Sequence, residues 1–270
     1  MMKKQFTVLF SLLVIAVSAS AQKEYKLSKS SGQLNLKVAG AIVEGYNGNE
    51  IIFSLPKAKN EAVDERAKGL RVINGSGFVD NTGLGLDISE KGNEINVNAV
   101  SKDMDGILSI KVPQNVKVSF VNQSNIYQDE IILKNLKSEI EVSTSYNKIK
   151  LENNSGPMNV KSLYGSVDAV FSEAIKGPVS IVSVYGHVDV SLPVGVKANV
   201  ELSTSYGKLY AADELKIAIN KPASKETTGA GFGLAVYGGR GADEIKGKIN
   251  GGGADLILKS NYEKVYLRVK

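Results

Sequence analysis

The chain has 270 residues, with 33 Lys and Arg against 28 Asp and Glu, a formal net charge of +5, one His, and neither Cys nor Trp. Without Cys there are no disulfides and no thiolate chemistry, and with one His no two-His metal site. The charges are interspersed and no basic cluster carries interleaved aromatics, so nucleic acid is not expected as a partner.

The first element in chain order is a leader. "MMKK" is basic, "FTVLFSLLVIAV" (6–17) is apolar, and Ala19 and Ala21 supply a small-residue cleavage site. This pattern predicts a signal peptide over 1–21, cleaved before Gln22. The apolar run is too short for a spanning helix, which needs about 20 residues, so no transmembrane segment is expected. The mature chain is then exported, to the periplasm, the outer surface or the medium, with a net charge close to neutral.

Residues 22–110 read as irregular strands. Leu34, Leu36 and Val38 alternate, and Asn47-Gly48 marks a turn. "KAKNEAVDERAKG" (57–69) predicts a short surface helix closed by Gly69, and "GSGFVDNTGLGLD" (75–87) a turn-rich stretch. Together they form a first surface excursion over 57–87.

From 111 to 212 the chain becomes regular. "STSYNKIKL" (143–151) returns as "KSLYGSVDA" (161–169), "VSVYGHVDV" (182–190) and "STSYGKLYA" (203–211), and again as "KSNYEKVYL" (259–267). Aligned on Tyr146, Tyr164, Tyr185, Tyr206 and Tyr262, the copies give columns. Two residues earlier stand Thr144, Ser162, Ser183, Thr204 and Ser260; three later stand Ile149, Val167, Val188, Leu209 and Val265. Apolar parity flips at the Tyr, so each copy is a strand, a tight corner and a second strand. Asn147, Gly165, Gly186 and Gly207 follow the Tyr, with Glu263 as the exception; a positive φ is expected at this corner.

A fixed period near 20 residues is the mark of a solenoid whose repeats bury their apolar faces against neighbours. The fold class expected is therefore all-β: a right-handed parallel β-helix (β-solenoid) with coils of about 18–21 residues, each laid on the last. One domain spans 22–270. A second excursion covers 213–250, including the Gly-rich "GAGFGLAVYGG" (229–239), and 251–270 supplies the last coil and cap.

The leader, the "AGAIVEGYNGNEIIF" opening, the "KVPQNVKVSF" start of the regular coils, the serial Ser-x-Tyr-Gly corners and the closing "INGGGADLILKSNYEKVYLRVK" resemble the exported β-strand-repeat adhesins. These are relatives of the head GIN domain proteins of Bacteroidetes-type bacteria. The resemblance covers nearly the whole mature chain. It implies a right-handed β-helix and an envelope location, and it brings no catalytic or ligand residues.

The outward rows carry the candidate chemistry. Asp168 and Asp189 fall on adjacent coils, a weak candidate pair for a cation or for acid–base work, against the plainer reading of a solvated row relieved by Lys150. His187 stands in a row with Lys148, Ser166, Lys208 and Lys264; a Ser166–His187–Asp189 arrangement is conceivable, a surface histidine plainer. That row, with Lys148 and Lys208, is a candidate for acidic ligands. Tyr146, Tyr164, Tyr185 and Tyr206 form the leading binding candidate, an aromatic ladder that either offers ring faces to sugars or covers the corner by self-stacking. No catalytic residue, metal site or cofactor is expected. The expected function is a non-enzymatic envelope module or adhesin, with a glycan or envelope protein as partner. The alternative is a glycan-active lyase or hydrolase built on the same scaffold.

Overall fold

The computed structural model describes residues 22–56, 65–101, 104, 106–220 and 243–270. The predicted leader, residues 57–64 of the first excursion and residues 221–242 of the second, with the Gly-rich stretch, lie outside them. The described chain is all-β: two mixed sheets of ten and eleven strands, neither closed. Most of the helix expected over 57–69 lies outside the described residues; within them Glu65–Ala67 form a 3-10 turn, with Gly69 following at φ +80°.

The strands form because apolar and polar residues alternate, and each regular strand buries one side. Ile140–Thr144, Met158–Ser162 and Val179–Ser183 bury every second residue, as do Ile149–Glu152, Val167–Val170 and Val188–Leu192 after the corner. The inward residues of both sheets belong to one continuous core, with Phe53, Phe120 and Phe171 its largest members. Parallel pairing keeps the columns in register: Ile140 lies beside Met158, Met158 beside Val179, and Val179 beside Leu256.

The stack does not follow the order of the chain. From one end to the other it runs 94–113, 31–46, 115–134, 140–152, 158–170, 179–192, 254–269 and 198–211. The C-terminal segment, expected as last coil and cap, is instead an inner coil. Ala254–Ser260 pairs with Val179–Ser183 on one side and with Ala198–Thr204 on the other. The chain skips one place after residue 192, builds the outer coil and its cover, and returns to fill the gap. Asn250 ties the two crossing connections, donating from Nδ2 to the carbonyls of Val194 at 3.0 Å and Val196 at 2.8 Å. The other end repeats the device, with 94–113 lying outside the earlier 31–46.

This path leaves three of the four edges of the parallel stack covered, with Leu209–Ala211 of the ten-stranded sheet as the fourth. An open parallel edge would present unpaired N–H and C=O groups. Antiparallel strands occupy the three covered edges: Ile51–Pro56 with Gln22–Leu27, and Leu86–Lys91, at one end; Asp243–Ile249 with Ala218–Ile219 at the other. Beside the latter, Leu215 of the 3-10 turn Asp213–Leu215 is fully buried and plugs the core.

Candidate functional site

The corner is built from the inside outwards. Ser183 Oγ accepts the Gly186 N–H at 2.9 Å and donates to the Gly165 carbonyl of the neighbouring coil at 2.9 Å. Ser260 repeats this with the Glu263 N–H at 3.0 Å and the Gly186 carbonyl at 2.8 Å. Thr204 accepts from Gly207 at 2.9 Å and donates to the Glu263 carbonyl at 3.3 Å. Each hydroxyl thus satisfies its own turn and holds the next, where a buried unpaired group would cost about 1–3 kcal/mol. The hydroxyl column is buried throughout.

Glycine follows the Tyr for a reason other than the one expected. Gly165, Gly186 and Gly207 are not among the residues with positive φ. A Cβ on any of them would lie closer than 3.0 Å to the backbone of the adjacent coil. Crowding between coils, not a left-handed turn, selects glycine there. Asn147 turns its amide inward, fully buried, donating to the carbonyls of Ala39 at 2.6 Å and Asp129 at 2.7 Å. Glu263 keeps the hydroxyl contact and leaves its side chain in solvent.

With the turn fixed, the Tyr side chains stand outward and stack. Centroid distances are 4.6 Å for Tyr146–Tyr164, 4.9 Å for Tyr164–Tyr185, 4.6 Å for Tyr185–Tyr262 and 5.0 Å for Tyr262–Tyr206. Interplanar angles run from 9° to 13°. The four Tyr candidates are therefore one edge, with Tyr262 seated between Tyr185 and Tyr206. The column alignment held that residue, but nothing in it placed the ring inside the ladder. Stacking closes the faces of the inner rings and leaves their edges and hydroxyls to solvent. The Tyr185 phenol is held above its ordinary pKa, first by Tyr262 beside it, then by desolvation and by Tyr164.

The outward row of the ten-stranded sheet runs beside this edge. Asp168 and Asp189 are register partners, as expected, but each carboxylate has its own cation. Asp168 meets Lys148 Nζ at 3.2 Å and His187 Nε2 at 3.0 Å. Asp189 takes Arg268 in a two-pronged contact, Nε at 2.7 Å and Nη2 at 2.9 Å. Lys150, expected to relieve the pair, bonds Glu130 at 2.9 Å instead. The Ser166–His187–Asp189 arrangement does not assemble, because His187 turns to Asp168. Among the described residues no three His, Asp or Glu gather as a cation would need.

A second aromatic pair was not singled out. Tyr210 and Tyr266 stack at 5.2 Å and 14°, with the Arg268 guanidinium 4.8 Å from the Tyr266 centroid. Their shared column position, four residues after the corner Tyr, was the available signal. Two depressions lie apart from these residues. One of about 400 Å³ is bordered by Asn199, Glu201, Lys246 and Asp255. One of about 350 Å³, mostly apolar, is bordered by Val38, Ala99, Met104 and Tyr127.

No family model matches the chain, and no curated protein matches it. Two solved structures are similar to it. One is a putative cell adhesion protein from Clostridium sporogenes, at TM-score 0.43 and 12% identity, over 93% of this chain and 100% of that one. The other is a putative adhesin from Bacteroides fragilis, at TM-score 0.38 and 11% identity, over 92% and 96%. At these scores the likeness says nothing about what this chain binds.

Proposed function

We propose that the chain is a non-enzymatic binding module of the cell envelope, exported by its leader and acting as an adhesin. One observation carries this reading: five tyrosines, exposed by 39% to 69%, are held in line along one corner of a rigid stack. A contiguous aromatic row in solvent is uncommon on a monomer and marks an interaction surface. The sheets beneath it fix the spacing, so binding need not order the row. We read the stack as a right-handed β-solenoid, consistent with the parallel register of successive coils and with the resemblance to the β-strand-repeat adhesins. The enzymatic reading loses its acid–base pair, since Asp168 and Asp189 are each engaged by cations.

Protease shaving of intact cells tests the reading. Loss of the chain while a periplasmic control survives is the expected result. Survival until the outer layer is opened would remove adhesion and leave a periplasmic role.

A further inference from the structure

The two tyrosine stacks end on the same coil. Tyr164, Tyr185 and Tyr262 have a ring on each side, whereas among the described residues Tyr206 stacks on Tyr262 alone, and it is the most exposed of the ladder, at 69%. Among the described residues Tyr210 likewise stacks only on Tyr266, and it lies on Leu209–Ala211, the edge strand of the ten-stranded sheet. Coil 198–211 thus presents two ring faces at the same end of the molecule. The Cα atoms that carry them are at most about 13 Å apart along an extended chain of four residues.

Lys208 stands between them in sequence. Leu209 is the register partner of Val265, whose N–H bonds the Lys208 carbonyl at 3.0 Å, so Lys208 and Lys264 lie side by side. Neither makes an ion pair among the described residues. Other cations on this sheet face are matched: Lys148 to Asp168, Lys150 to Glu130, Arg268 to Asp189. Like charges directly opposite one another on neighbouring strands repel, and an anion laid across them relieves the strain.

Building on the binding-module reading, we propose that this end of the tyrosine edge binds an acidic polysaccharide through its uronic-acid units. The open faces of Tyr206 and Tyr210 take the apolar faces of sugar rings, and Lys208 with Lys264 takes a ring carboxylate. The inner rings of the ladder support Tyr206 but do not touch the sugar. A phospholipid surface would satisfy the lysines and leave the ring faces without a matching flat partner.

The test is a titration of the full mature chain with a short oligogalacturonate and with its methyl ester. Tyrosine fluorescence is the readout, with no Trp to mask it. The acid should bind at least about tenfold more tightly than the ester, and Tyr206→Ala and Tyr210→Ala should each weaken it about tenfold. Lys208→Gln with Lys264→Gln should erase the preference for acid over ester. Lys111→Gln, an exposed position at the opposite end of the stack, should stay within about twofold. Absence of oligogalacturonate binding, or equal losses in Lys111→Gln and Tyr206→Ala, overturns the proposal. So does binding to phosphatidylglycerol vesicles in place of the sugar. If the chain is still shaved from intact cells in those cases, the envelope reading stands and this site alone falls.

Discussion

Tyr185 and Tyr262 stack with 4.6 Å between ring centroids and 9° between planes, although the chain between them builds the outer coil and its cover. The contact joins the returning C-terminal coil to the regular series. Tyr262 also stacks on Tyr206, so its ring bridges two coils that the chain made earlier.

Tyr262→Ala removes two stacking contacts, and Tyr146→Ala removes one. At about 0.5–1.5 kcal/mol for each aromatic pair, Tyr262→Ala should destabilise the fold by about 1–3 kcal/mol and Tyr146→Ala by roughly half of that. Urea unfolding of the two variants checks the ranking. Equal losses would mean that the rings do not support one another.

The corner glycines give a sharper contrast. A methyl group on Gly186 would press into the backbone of Gly165 and Ser166, so Gly186→Ala should cost about 1–3 kcal/mol. Gly195 has nothing within 4 Å of the same position and no positive φ. There Gly195→Ala should stabilise by about 0.4–1 kcal/mol, by restricting the unfolded chain. Thermal unfolding of the pair isolates the effect of crowding, since neither glycine has a positive φ.

Alkali should loosen the ladder. In the unfolded chain the Tyr185 phenol ionises in the ordinary tyrosine range, while in the fold Tyr262 keeps it protonated to higher pH. Between those two values the native state binds more protons than the unfolded one. Stability is therefore full below the unfolded pKa and falls as the pH rises through the folded one. Phenolate absorbance should show a late-titrating tyrosine, and Tyr262→Phe should bring it back towards the ordinary range. Simultaneous ionisation of all tyrosines would count against the stack.

Much of this edge was legible in the sequence, because every coil offers the same surroundings and so selects the same residue types. The Ser/Thr column, the Tyr column and the flip in apolar parity all answer to one repeated corner. The order of the coils was not legible, for the same reason. Leu256 fits the column of Met158 and Val179 equally well at any level, and only the return path through Asn250 decides where it sits. The partners of Asp168 and Asp189 were hidden because Lys148 and Arg268 reach across to neighbouring coils on long side chains. The sequence shows that the corner requires glycine but not why, since it carries no sign of how close the next backbone lies.

The interleaved coil order underlies both the ladder and its open end, and cysteine pairs test it directly in a chain with no Cys of its own. Lys259 is the register partner of Val182 on one side and of Ser203 on the other. Neighbouring parallel strands lie about 4.8 Å apart, within the roughly 4.4–6.8 Å that a disulfide spans, whereas strands two places apart lie beyond it. Oxidation should therefore cross-link Val182→Cys to Lys259→Cys, and Lys259→Cys to Ser203→Cys, in the folded monomer. Val182→Cys with Ser203→Cys should stay reduced. A cross-link between those last two would mean that the coils stack in chain order, and it would contradict the account.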